Sequence, residues 1–285
     1  EKLTKANISV SSISKDRKKA IIQVSDDISS PKYYLYDLNK GSIAFLFAMW
    51  PEIDEPGLES TKPFKFKNSD GIEIHGYFTN ARNQDQNSLP PLVVLPHGGP
   101  IGPSDDWSFD PDVHMLSNAG YAVMKVNYRG SGGYGRDFLR AGLGQAGGDI
   151  QDDIIEATEW VIDKGWVDKQ RVGIYGGSFG GYSAAMAPML RPDLFKAGVA
   201  YVGVFDLNLN QEVGDVRRMY FGKAQLAQIY GPDEETRAQM SPVNNVSKLE
   251  APLLIVSGEE DQRCPPEQAY ALEEELKKHN KVYEL

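Results

Sequence analysis

The sequence predicts a doubly wound α/β domain with a mostly parallel sheet, preceded by a short all-β segment. Three observations predict it. From residue 61 onward, short apolar runs alternate with longer stretches. Those longer stretches carry apolar residues at helical spacing. The first sixty residues show strand and turn chemistry instead.

Residues 1–60 are expected to form short strands and turns. AIIQV (20–24) is apolar and β-branched, SSPK (29–32) favours a turn, and YYLYDL (33–38) alternates before a turn at Asn39 to Gly41. A unit of two or three strands is marginal in water, so it must pack on a neighbour. The stretch from Pro51 to Pro56 reads as a linker. A strand pair is then expected at FKFK (64–67) and IEIHGYF (72–78), with the turn at Asn68 to Gly71. Buried strands are expected at LVVL (92–95), YAVMKVNY (121–128), RVGIYG (171–176), AGVAYVGV (197–204), PLLIVSG (252–258) and KVYEL (281–285). Runs this apolar, separated by helices, fit a parallel sheet covered on both faces.

The helices have the matching period. Ile150, Ile154, Ala157 and Val161 form one stripe, with Asp149, Asp152 and Asp153 at the end the helix dipole favours for carboxylates. Ala269, Leu272 and Leu276 repeat the pattern in a helix from Pro266 to about His279.

A net charge of −10 argues against nucleic acid or an anionic membrane surface as partner, since such binding needs clustered Lys and Arg. The single Cys264 excludes an internal disulfide and a multi-cysteine metal site. No apolar run is long enough to predict a transmembrane helix. The polar start, EKLTKANISV, resembles no signal peptide and lacks an initiating Met, as in a segment excised from a longer chain. The compartment stays open between cytoplasm and periplasm.

Chemistry concentrates in three places. In RVGIYGGSFGGY (171–182) a strand runs into Gly-Gly-Ser-Phe-Gly and then a helix, the context of a nucleophile elbow at Ser178. The alternative is a glycine-rich strand-to-helix turn. In LVVLPHGGP (92–100) glycines follow a buried strand. The N–H of Gly98 or Gly99, with that of Phe179, would form an oxyanion hole, the alternative being an ordinary turn. In LLIVSGEEDQRCPPEQ (253–268) Asp261 follows a late strand, where a triad acid would stand. Glu259 and Glu260 compete for that role.

HGGP (97–100), NYRGSGGYG (127–135), GGSFGGY (176–182) and GEEDQRCP (258–265) together resemble the catalytic domain of the prolyl oligopeptidase family, nearest its acylaminoacyl-peptidase and dipeptidyl-aminopeptidase-like branch. The resemblance covers residues 61–285. It extends weakly to 1–50, which resemble the closing strands of a β-propeller. It implies an α/β-hydrolase fold, a serine peptidase acting on short peptides, Ser178 as nucleophile and Asp261 as acid. It also suggests that Arg263 holds a substrate carbonyl and that Val204, with residues near Met219 to Phe221, lines an apolar specificity pocket. The alternatives are a surface ion pair of Arg263 with Glu259 or Glu260, and a core role for Val204. Cys264 reads as packing. Homo-oligomers are common in the family.

The mechanism needs a base, and none of the four histidines fits. His75 lies in the early strand pair, His97 in the oxyanion loop, His114 in a helix, and His279 at a helix end. In the family the catalytic histidine follows the last strand, so it is expected beyond Leu285, the domain lacking its C-terminal end and this chain being inactive in consequence. Two other functions compete: a carboxylesterase on the same fold, and an inert binding domain. No cofactor is implied, for no Gly-x-Gly-x-x-Gly opens the first βα unit, and no metal cluster is visible.

Overall fold

The computed structural model describes residues 6–53, 57–82 and 87–285. Part of the expected linker and half of the polar start lie outside them. Strands β1 (Asn7–Ile13), β2 (Lys19–Ser25), β3 (Lys32–Asp37) and β4 (Ser42–Ala48) form an antiparallel meander in chain order. Only β2 and β3 were legible in the sequence. The outer strands are exposed along almost their whole length, so neither shows a buried face to betray it.

The second sheet holds β5 (Thr61–Lys67), β6 (Glu73–Thr79), β7 (Leu92–Val94), β8 (Ala122–Asn127), β9 (Val172–Gly177), β10 (Ala197–Tyr201), β11 (Leu253–Val256) and β12 (Tyr283–Glu284). Its order is β12-β11-β10-β9-β7-β8-β6-β5, parallel from β12 to β8 and antiparallel across β8-β6-β5. This is the mostly parallel sheet of the α/β-hydrolase fold. The helices are α1 (Pro111–Asn118), α2 (Arg136–Ala141), α3 (Asp149–Asp163), α4 (Phe179–Leu190), α5 (Gly222–Tyr230), α6 (Glu234–Gln239) and α7 (Pro266–Lys278).

Alternation along β9 shows both faces in use. Ile174 is buried in the core, and a Cβ on Gly176 would meet Gly180 of α4. Tyr175, pointing the opposite way, donates its hydroxyl to Asp112 of α1 at 3.1 Å. Helices α3 and α4 pack on each other. The expected stripe of α3, Ile150, Ile154, Ala157 and Val161, is fully buried, and each isoleucine contributes about 1.5–3 kcal/mol. On α1, Asp110 caps the first turn by accepting from the N–H groups of Asp112 and Val113, the Pro111 ring fixing the entry.

A buried carboxylate joins the meander to the larger sheet. Asp27 accepts from the Ser60 hydroxyl and the Thr61 N–H, both at 2.7 Å, while its own carbonyl contacts His114 Nε2 at 2.6 Å. His114 is therefore packed at this joint.

The expected strand 197–204 ends early, at Tyr201. Val202 takes a φ of 43°, a conformation that β-branched residues avoid. The chain turns there because Gly203 must pass against Gly181 of α4.

Candidate active site

Strand β9 delivers the chain to Ser178, whose φ of 57° and ψ of −119° lie in a region that costs a non-glycine residue on the order of 1–3 kcal/mol. Two backbone bonds hold the strain: Ser178 N–H to the Tyr201 carbonyl at 3.0 Å, and Tyr182 N–H to the Ser178 carbonyl at 3.0 Å. Glycine is obligatory beside it. A Cβ on Gly180 would sit 2.2 Å from the Pro96 carbonyl oxygen, and one on Gly176 would sit 2.6 Å from the Gly180 backbone. The turn thus brings the end of β9, the start of α4 and the loop after β7 into contact.

That loop runs past Ser178. Gly98 lies against Ser178, so that a Cβ on Gly98 would be 3.4 Å from the Ser178 Cβ. Gly99, with a φ of 143°, turns the loop away. Among the described residues, no acceptor is hydrogen-bonded to the N–H of Gly98, Gly99 or Phe179. Phe179 is the first residue of α4, where a helix leaves its N–H groups unsatisfied.

The third segment approaches through Cys264, which is buried and lies close enough to Ser178 for the two side chains to interact. Burial first, and the nearby Asp261 second, push its thiol up to about 11. Asp261 Oδ1 accepts from the N–H of Arg263 at 2.8 Å and of Cys264 at 2.9 Å, so the carboxylate organises its own loop. A polar cavity of about 550 Å³ opens beside it, lined in part by Asp215, Arg217, Glu259 and Glu260. A larger, apolar cavity of about 660 Å³ lies among residues such as Leu92, Val172 and Ala197, which begin strands. Ser178 follows the carboxyl end of β9, where open α/β sheets bind ligands, so the larger cavity is at the wrong end.

Arg263 pairs with Asp215, Nε to Oδ1 at 2.8 Å, where the alternative to a substrate-binding role had been a pair with Glu259 or Glu260. Val204 is buried with Phe205 and Leu207 in the main core. Met219, Tyr220 and Phe221 are exposed, Tyr220 at 93%.

Each histidine is engaged elsewhere. His75 stacks on Tyr134 and contacts Glu73 at 3.2 Å. His279 closes α7 and lies 3.7 Å from Glu275. His97 stacks on Tyr128, contacts the Gly98 carbonyl through Nδ1 at 2.7 Å and the Ser131 hydroxyl through Nε2 at 2.8 Å. Burial pulls its imidazole down to about 4, so at neutral pH it is uncharged. Because a carbonyl can only accept, the single ring proton belongs on Nδ1.

A buried charge cluster that the sequence did not reveal backs the site. Arg129 grips Asp153 in a fork, Nε to Oδ2 and Nη2 to Oδ1, both at 2.8 Å, and reaches Asp149 at 2.6 Å and Asp70 at 2.8 Å. Its only sequence signal was the polar Asp149 and Asp153 beside an apolar stripe.

Known proteins share this architecture. Over 276 residues the chain is 34% identical to dipeptidyl aminopeptidase BIII of Pseudoxanthomonas mexicana, covering 92% of this chain and 40% of that protein. It is 31% identical to the acylamino-acid-releasing enzyme of Arabidopsis thaliana over 66% of this chain and 25% of that one. A puromycin-hydrolyzing peptidase of Mycobacterium tuberculosis superposes with a TM-score of 0.83 at 26% identity, covering 94% of this chain and 41% of the other. An acylaminoacyl peptidase in complex with Z-Gly-Gly-Phe-chloromethyl ketone gives 0.82 at 26% identity, with 96% and 44% covered. The chain thus spans about two fifths of the length of this dipeptidyl aminopeptidase and of an uncharacterized peptidase of Bacillus subtilis that it also matches. With the model of the prolyl oligopeptidase family matching residues 107–285, well over half of its length, the chain belongs to that family.

Proposed function

We propose that residues 61–285 are the hydrolytic domain of a serine peptidase acting on short peptides. The single observation that carries this reading is the strained Ser178, held against Gly98 at the head of α4. In the reaction, Ser178 Oγ attacks the peptide carbonyl carbon, forming a C–O bond as its proton passes to an imidazole. The N–H of Phe179 and that of Gly98 or Gly99 receive the negative oxygen of the tetrahedral intermediate. The C–N bond then breaks, the amine taking the proton, and water hydrolyses the acyl-serine by the same path.

Asp261 is proposed to orient that imidazole, which is not one of the four histidines present. Arg263 is proposed to hold a substrate carbonyl by charge-assisted bonds, moving off Asp215 to do so. Val204 is proposed to support the floor of an apolar pocket. Peptides are accordingly the proposed partners, and homo-oligomers are in keeping with the family.

The test is labelling with a fluorophosphonate, read by intact mass, with and without added imidazole as a diffusible base. One label per chain, accelerated by imidazole and absent in Ser178→Ala, is the expected result. Labelling that survives Ser178→Ala would overturn the assignment of the nucleophile.

A further inference from the structure

The segment Asn127 to Tyr134 starts on the last residue of β8 and contacts the loop after β7 along its length. Asn127 is fully buried. Its Oδ1 accepts from the Asp105 N–H at 2.8 Å, and its Nδ2 donates to the Asp105 carbonyl at 2.9 Å and to the Tyr134 hydroxyl at 2.8 Å. One side-chain amide thus reads both backbone groups of residue 105, as a neighbouring strand would. Tyr128 donates its hydroxyl to the His97 carbonyl at 2.8 Å. The Ser131 hydroxyl lies within hydrogen-bond distance of the Tyr128 carbonyl and of His97 Nε2, its one proton going to either acceptor. Backbone bonds fill the space between: Gly102 N–H to the Gly130 carbonyl at 2.9 Å, and Gly132 N–H to the Pro103 carbonyl at 3.1 Å. The fit is tight enough that a Cβ on Gly132 would lie 2.2 Å from the Gly102 carbonyl oxygen.

We propose that Asn127, Tyr128 and Ser131 are positioning residues, a template that fixes the loop 97–105 and with it the Gly98 and Gly99 N–H groups facing Ser178. The proposal rests on the oxyanion-hole reading above. The physical need is clear. A loop of glycines and prolines has little structure of its own, and preorganised donors stabilise a transition state only if they do not have to be ordered during the reaction. The bonds at residues 97, 102, 103 and 105 supply the order from outside the chemistry. They leave the N–H groups of Gly98 and Gly99 free.

The test compares Asn127→Ala and Tyr128→Phe with the parent chain and with Ser178→Ala. The maximal fluorophosphonate labelling rate and the half-saturating probe concentration are measured in each, with melting temperature and labelling stoichiometry as folding controls. Both template variants are expected to lower the maximal rate by about ten- to a hundred-fold, less than the ~10²–10³ typical of losing an oxyanion donor outright. Half-saturation and stoichiometry should stay within about threefold of the parent. A maximal rate within twofold of the parent in both variants overturns the template. So does a loss seen only as reduced stoichiometry, which reports unfolding. Labelling that persists in Ser178→Ala instead defeats the underlying reading of the site, so the two failures are distinguishable.

Discussion

Removing the carboxylate of Asp153 should cost this domain more stability than any other single charge deletion near the site. Asp153 is fully buried and receives four bonds: two from the Arg129 guanidinium, one from the Arg129 N–H and one from Asn68 Nδ2, each at 2.8 Å. Asp153→Ala leaves the Arg129 side chain, 4% exposed, facing only the half-exposed Asp70 and Asp149, and strands two amide donors. Breaking a buried ion pair from one side costs about 3–5 kcal/mol. For a domain of this size that is a fall in melting temperature on the order of 10 °C. Asp70→Ala is the control. Its side chain is 55% exposed and its ion pair is worth about 1 kcal/mol or less. Thermal melts by circular dichroism at neutral pH, in low and high salt, give both numbers. If Asp153→Ala melts within about 2 °C of the parent, the outer carboxylates compensate Arg129 and the cluster is no keystone.

Other expectations follow from the same structure. Gly180→Ala places a methyl carbon against the Pro96 carbonyl, so labelling of Ser178 should fall by more than tenfold, and an unchanged rate would mean the elbow yields. His97, at about 4 when folded against 6.5 ordinarily, leaves the unfolded chain to take the extra proton. It therefore removes stability as the pH falls from 6.5 towards 4, by about 3 kcal/mol in full. Asp105 acts with the opposite sign, because burial raises its carboxyl to about 6 against the opposing pull of Lys125. Its contribution is present below pH 3.8 and is lost as the pH rises through 6, so Asp105→Asn should flatten that loss in a series of melts against pH. Buried Cys264, its thiol pushed up to about 11, should resist iodoacetamide at pH 8 in the folded chain and react once denatured; equal rates in both states would refute its burial.

What was legible in the sequence follows from what leaves a periodic trace. The stripe on α3 and the apolar runs of β7 to β11 were readable because burial on a regular element repeats. The strand-turn-helix around Ser178 was readable because Gly176, Gly180 and Gly181 are forced by contacts under 3 Å. Helices α5 and α6 left a weaker trace, since most of their residues are exposed or half-exposed. The positive φ of Val202 left none, because a valine there looks like one more strand residue. The pairing of Arg263 with Asp215 left no trace for a related reason: Asp215 is distant in sequence and meets the loop only through the tertiary fold.

The glycine motifs take on a common meaning once the contacts are known. The loop after β7 is clasped from two sides, by Gly180 of α4 against Pro96 and by Gly132 against Gly102, each with no room for a Cβ. Two separate glycine-rich segments therefore fix one loop to within van der Waals contact, and of the two only the turn at 176–182 carries a side chain proposed for the reaction, that of Ser178. Side chains enter only at the margins, through Asn127, Tyr128, Ser131 and His97, and their hydrogen bonds end largely on backbone. On the proposed reading, a site built this way gains its donors from main-chain amides, which neither titrate near neutrality nor rotate away. It follows that substitutions in NYRGSG, remote from Ser178 in sequence, should act on the rate of the chemical step more than on peptide affinity.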